Sequence, residues 1–284
     1  MSKIKTIILL VIAIGLVSCH QSQHYFPNDS RLEKSTIDII RYDSAMLSFT
    51  ADSTTIYDNI QQLYDFDNDF TTFFCEQIIG IPSTDTAAFA NAMLGYLNDT
   101  VYGFNITNER EKKLFSNIDT IHKDISTAFS RIRYLYPDIK IPKITFFVSG
   151  FNASLLFWKD ELYSNEADYI AIGTDMYLGH DYEYYNRVVY NYQKATMEKQ
   201  CIPIDIVSAY MFKHFPFSSN KNRLLDNMIY RGKIMFVVSQ IFDNYEPCDV
   251  MGYNREQWQW CKKNESRIWR TRAKSKEILN MIVG

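Results

Sequence analysis

Residues 202–242, IPIDIVSAYMFKHFPFSSNKNRLLDNMIYRGKIMFVVSQIF, hold two apolar segments joined by a polar connector that begins at Pro216. In the second segment Leu224, Leu225, Met228, Ile229, Met235, Phe236, Val238 and Ile241 recur at helical spacing, which predicts a long buried helix. Its centre cuts across that pattern. Gly232 costs a helix roughly 1 kcal/mol relative to alanine, and Lys233 puts a cation inside a mostly apolar run. One reading has Gly232 admitting a neighbouring helix while the Lys233 stem snorkels to bring its ammonium to water or a carboxylate. The other has Lys233 contacting a ligand directly.

Upstream of this stretch the pattern alternates between helix and strand signals. Residues 36–49, TIDIIRYDSAMLSF, predict an early strand and then a turn. Short packing helices are predicted over 56–64, 67–78 and 86–97, broken by Gly80 and Pro82. Residues 109–136 give the cleanest helical pattern, with Leu114, Phe115, Ile118, Ile121, Ile125, Phe129, Ile132 and Leu135 on one face and Pro137 beyond its end. Residues 143–149, KITFFVS, are β-branched and aromatic and stop at Gly150. A second strand is predicted at 169–173, YIAIG, and a third at 153–158. Few strands among many helices predict an α+β fold, a mostly helical domain with a small β-sheet.

The N-terminus carries a processing signal. Lys3 and Lys5 precede the apolar run Ile7 to Val17, which leads into Leu16-Val17-Ser18-Cys19. The run is about 11 residues, short of the roughly 20 that span a bilayer. This is the pattern of a lipoprotein signal peptide ending in a lipobox, over residues 1–18, with the Cys19 thiol as the site of lipidation. Membrane attachment through that lipid follows. Residues 19–30 are polar, contain Pro27 and read as a tether, leaving 31–284 for the folded domain. No aspartate follows Cys19, which agrees with an outer-membrane address.

Composition narrows the function class. A chain of 284 residues with 46% hydrophobic and 22% charged residues can bury a large core. Its net charge of −3, with no basic stripe interleaved with aromatics, argues against nucleic acid as a partner. The 20 Tyr and 19 Phe suit large helical cores or a partner-binding surface. Besides Cys19 the cysteines are Cys75, Cys201, Cys248 and Cys261, which form no CxxC pair and no zinc spacing. They read as buried thiols, with Cys248 and Cys261 the nearest pair for a disulfide.

Further motifs carry a resemblance. The early IxRYD strand, the block YIAIGTDMYLGHDYEYY at 169–185, IPIDIV at 202–207, LLDNMIYRGKIMF at 224–236 and the C-terminal GYxxxQxxWxxxNExxIW resemble the gliding-motility lipoprotein B (GldB) family of Bacteroidetes. The resemblance runs from about Ile37 to the end. It implies a lipid-anchored cell-envelope protein tied to gliding motility and the type 9 secretion system, with envelope proteins as partners. It further implies a layout similar to zincin metallopeptidases, in which a small sheet precedes a helix bearing HExxH. Here residues 204–214, IDIVSAYMFKH, hold one histidine and no HExxH, so the expected scaffold is zincin-like without its metal and without a cofactor.

The candidate site residues follow from these blocks. Asp175, Asp226, Lys233 and Glu265 are expected as a binding or structural polar core, as helix caps or as a buried carboxylate paired with Lys233 or Arg267. A rival set for a metal is His180, Glu183 and His214, which would make the protein a metal-dependent peptidase with displaced ligands. The chain has no GxSxG elbow, no GxxxxGK[ST] loop and no GxGxxG turn. The expectation is a non-catalytic envelope lipoprotein that acts through protein or peptide binding.

Overall fold

The computed structural model describes residues 26–27, 29–99, 104–158, 168–191, 193–218 and 223–268, with the side chains of 104–107 left aside. The predicted signal peptide and Cys19 lie outside the described residues. The chain divides into two compact units at Leu32 and Glu33. In the first, the described residues form a single turn of 3-10 helix at Asp29–Arg31. No helix among the described residues is long and apolar enough to cross a membrane.

The second unit is built on four strands: β1 (Ile39–Arg41), β2 (Lys143–Phe147), β3 (Leu155–Trp158) and β4 (Tyr169–Gly173). They lie in the order β1-β2-β4-β3. β1 and β4 run parallel to β2, and β3 closes the edge antiparallel to β4. All four predicted strand segments are therefore present, the early one reduced to the three residues of β1. β2 reads as a near-continuous apolar run because both of its faces are covered. Phe147, Ala171 and Trp158 enter one core, while Phe146 on the opposite face meets Phe115 at a ring separation of 6.3 Å.

The first core is roofed by N-terminal helices. β1 does not end in the predicted turn but passes directly into α1 (Tyr42–Leu47), whose first residues Tyr42 and Asp43 are fully buried. Arg41 holds Asp43 in place by donating from Nε and Nη2 to its two oxygens, each at 2.8 Å. Next come α2 (Ile56–Phe66), α3 (Asn68–Phe73), a π-helical turn at Phe74–Ile79 and α4 (Thr86–Asn98). Asp67 and Asp85 cap α3 and α4 by accepting the N–H groups of Phe70 and Ala88, both at 2.9 Å. Gly80, at φ +80°, ends the π turn in the left-handed region that glycine adopts without strain. Phe70 ties this layer to the sheet through edge contacts with Trp158 at 4.9 Å and Phe147 at 5.6 Å.

The single helix predicted over 109–136 is two, α5 (Phe104–Leu114) and α6 (Asp119–Leu135). Asn117 causes the break: its Oδ1 accepts the Asp119 N–H at 2.8 Å, a side-chain substitute for helical backbone bonding. The apolar periodicity bridges the break because Phe115, 1% exposed, still faces the sheet.

After β4 follow α7 (Tyr185–Val188), α8 (Ile202–His214), α9 (Leu224–Ile241) and α10 (Pro247–Val250), and residues 255–268 are helical. α8 packs on α6, with Phe129 and Tyr210 in edge contact at 4.9 Å. α9 corrects the buried-helix expectation. Only Ile234, Val238 and Ile241 of this helix are buried, whereas Leu224, Leu225, Met228 and Ile229 are 43–56% exposed. Among the described residues Gly232 admits no neighbouring helix, since a Cβ there would meet none of their atoms within 4 Å.

Candidate functional site

Two loops leave the carboxyl ends of the parallel strands β2 and β4 side by side, the position where sheets of this kind most often build their sites. The β2 loop runs through Ser149, Gly150 and Phe151, and the β4 loop begins with Thr174 and Asp175. Asp175 is fully buried and joins them. Its Oδ1 accepts the Ser149 N–H at 2.8 Å, and its Oδ2 accepts the Ser149 hydroxyl at 3.0 Å and the Phe151 N–H at 2.5 Å. Burial pushes the Asp175 carboxyl above its ordinary value, and the same three donors oppose that shift.

Local backbone geometry sets these donors. Gly150 and Phe151 take φ values of +66° and +60°, so consecutive residues turn left-handed and aim the Phe151 N–H inward. Gly173 is required by close approach, because a Cβ on it would lie 2.0 Å from the Ala153 carbonyl oxygen. Thr174, also fully buried, places its hydroxyl between the Phe147 carbonyl at 2.9 Å and the buried Glu111 carboxylate. The Tyr185 hydroxyl donates to the Asp175 carbonyl and accepts the Leu178 N–H, both at 2.8 Å.

Above this polar centre lies an aromatic and cationic rim. Phe151 stacks on Tyr184 with ring centroids 6.4 Å apart and planes within 6°. Tyr184 continues to Tyr182 at 6.1 Å. Arg187 lies over the Tyr184 ring at 4.9 Å and Arg110 over the Tyr182 ring at 5.0 Å. Arg110 is fixed by donating from Nε to the Leu178 carbonyl at 2.8 Å and from Nη2 to Asp181 at 2.7 Å. The rings are half-buried, and both arginines are exposed.

Asp205 on α8 forms a second buried polar contact, accepting the Tyr177 hydroxyl at 2.8 Å. Part of the residue reaches solvent, but its carboxyl group is enclosed. Burial pushes that carboxyl up to about 6, with the Tyr177 hydrogen bond opposing.

Residues 26–279 match the sequence model of the family described as gliding motility protein GldB. The chain belongs to the GldB family. No curated protein and no solved structure matches it.

The GldB-family resemblance singled out Asp175, Asp226, Lys233 and Glu265 as a polar core, and the fold does not bring them together. Asp175 alone is buried, and its partners are Ser149 and Phe151 rather than a cation. Asp226 sits in the first turn of α9 and accepts both a 2.9 Å and a 3.0 Å bond from Arg223. Lys233 and Glu265 are exposed, Glu265 on the helical segment 255–268.

The rival metal set is not assembled either. His180 is held by Glu198, which also accepts the His180 N–H at 2.8 Å, and Glu183 is exposed. His214 contacts Asp168 at 2.5 Å, a carboxylate that Lys213 also pairs with at 2.9 Å. Burial alone would raise Asp168, but the bonds from His214 and Lys213 hold it below its usual value. Among the described residues no group of three or more His, Cys, Asp or Glu could hold a metal ion. Cys248 and Cys261 are free thiols, as are Cys75 and Cys201, so the suggested disulfide does not form. The residues that sequence reading missed are Arg110, Ser149, Phe151, Asp205 and the rim residues Tyr182, Tyr184 and Arg187. Gly150 directly after an apolar strand was the available signal for the first loop, and a lone acid in the apolar run of α8 was the signal for Asp205.

Proposed function

We propose that this GldB-family protein is anchored in the cell envelope by a lipid on Cys19, at the outer membrane, and works without catalysis by binding a protein or peptide at the rim over β2 and β4. In this reading residues 19–30 are a tether and 31–284 the binding domain. The observation that carries it is the Phe151–Tyr184–Tyr182 stack flanked by Arg110 and Arg187. Tyr and Arg are enriched among the residues that dominate protein interfaces, and here Tyr182, Tyr184, Arg110 and Arg187 gather around Phe151, whose loop Asp175 fixes from below. Ring faces and guanidinium groups held in advance lose little entropy when a partner docks.

The zincin likeness belongs to the same reading. A mixed sheet with an antiparallel edge is followed by α8, the helix that would carry a metal motif, and α8 instead offers Asp205 to Tyr177 and His214 to Asp168.

The test is in-cell crosslinking of the lipidated protein from photoreactive groups at Asn186 and Asn152, both exposed and beside the rim. Discrete envelope-protein adducts are expected, and Tyr184→Ala with Arg187→Ala should remove them while leaving the circular dichroism spectrum unchanged. Adducts of equal yield in that double variant would defeat the rim as the binding surface.

A further inference from the structure

α9 has two apolar faces. At 100° per residue, Leu224, Leu225, Met228, Ile229 and Gly232 fall within one arc of about 140°, while the buried Ile234, Val238 and Ile241 lie on the other side. The inner face meets α8, where the Tyr230 hydroxyl donates to the Phe215 carbonyl at 2.8 Å. Among the described residues, Leu224, Leu225, Met228 and Ile229 of the outer face meet nothing comparable. Leu224 is 56% exposed and Leu225, Met228 and Ile229 are each above 40%, and the space over Gly232 is open to at least 4 Å. Four large apolar side chains clustered on two helical turns are a patch, unlike the scattered exposed residues of an ordinary surface.

Charge identifies what covers it. In a chain whose net charge is −3, residues 223–241 carry three cations, Arg223, Arg231 and Lys233, against one carboxylate, Asp226. Asp226 is itself paired with Arg223. Arg231 and Lys233 are exposed and fall on the two flanks of the apolar arc. An apolar helical face bordered by basic residues is the chemistry of a helix lying in the interface of an anionic bilayer. A second copy of the chain fits less well, since a two-fold crossing at Gly232 would set Arg231 and Lys233 of one copy against the same cations of the other.

We propose that the outer face of α9 rests on an anionic membrane surface, with Leu224, Leu225, Met228 and Ile229 entering the headgroup region and Arg231 and Lys233 pairing with lipid phosphates. The face would sit roughly 5–10 Å into the boundary between headgroups and acyl chains. This contact orients the domain on the bilayer and is separate from the rim over β2 and β4.

The test uses the full lipidated chain with an environment-sensitive dye on Met228→Cys in a Cys261→Ser background, since the other three described cysteines are buried. It is reconstituted in vesicles of phosphatidylcholine alone or with phosphatidylglycerol. Vesicle flotation reports the lipid anchor and the dye reports the helix, so the two readings fail separately. A blue shift only with phosphatidylglycerol, lost in Arg231→Glu with Lys233→Glu, is the expected result. The same shift from a second probe at Leu225→Cys excludes an artefact of one site. Emission typical of water in both vesicles, an equal shift in both, or a shift that follows protein density instead of lipid charge would overturn the proposal.

Discussion

Asp175 and Phe151 are joined across the ends of two parallel strands by a 2.5 Å hydrogen bond, with the Phe151 N–H donating to Oδ2 from a backbone at φ +60°. The bond holds a non-glycine residue in a conformation that costs energy. Asp175→Ala would strand the N–H groups of both Phe151 and Ser149 in a buried site. At about 1–3 kcal/mol for each orphaned donor, a loss of roughly 3–5 kcal/mol in urea unfolding is expected. Asp175→Asn, which keeps one acceptor oxygen, should lose clearly less. Equal losses in the two variants would mean that one retained acceptor oxygen does nothing for the site, and would overturn this account of partial rescue.

The Asp205 carboxyl makes stability depend on pH in an unusual direction. Its folded value is about 6, above the ordinary value near 3.8. As pH rises from 4 to 6 the unfolded chain gives up this proton first, so the Asp205 contribution is fully present below about pH 4 and is lost as pH passes through about 6. The effect is at most about 3 kcal/mol. Asp205→Asn, which can still accept from the Tyr177 hydroxyl, should flatten this part of the profile. Thermal melts of both proteins between pH 4 and 7 measure it, and parallel profiles would remove the assignment.

Two glycines should respond oppositely to alanine. At Gly173 the added methyl would meet the Ala153 carbonyl oxygen at 2.0 Å and Ser149 at 2.9 Å, so Gly173→Ala is expected to cost roughly 2–3 kcal/mol or more. At Gly232 the space is empty and the helix continues, so Gly232→Ala should stabilise by about 0.5–1 kcal/mol. Chemical denaturation of both variants checks the pair.

Thiol labelling of the native protein should be selective. Burial pushes Cys75 up to about 11 and Cys201 up to about 12, with Glu76 and Asp205 respectively adding to the shift. Cys248 is buried as well, and only Cys261 is half-buried. At pH 7.5 mass spectrometry should find Cys261 alkylated first and the other three only under denaturing conditions. Rapid labelling of Cys201 would contradict the packing around α8.

Much of the fold was legible because strand and helix signals here are local. KITFFVS and YIAIG are β-branched and aromatic runs bounded by glycine, and they became β2 and β4. The errors have physical causes. The periodicity over 109–136 could not show that Asn117 would bond to Asp119 and end a helix. The apolar residues of α9 signalled helix correctly but burial wrongly, since a pattern of two apolar faces says nothing of which face finds a neighbour. The site was only partly legible for a similar reason. Asp175 stood out, but its partners Ser149 and Phe151 lie 26 and 24 positions away, and no spacing rule links them. Lys233 and Glu265 stood out with it and proved to be surface residues.

β1 pairs with β2 in the register Ile39 to Ile144, across all of α1 to α6. The first strand to be made therefore has no partner until about 100 further residues exist, and closing so long a loop delays the pairing. In a chain threaded N-terminus first through a membrane, the helices α1 to α4 emerge with their sheet-facing aromatics Phe70 and Phe74 uncovered. They stay so until Phe147 arrives. The sheet topology thus gives this chain an interval in which apolar helix faces exist without the strand that covers them, the situation in which a folding chain is most open to wrong contacts.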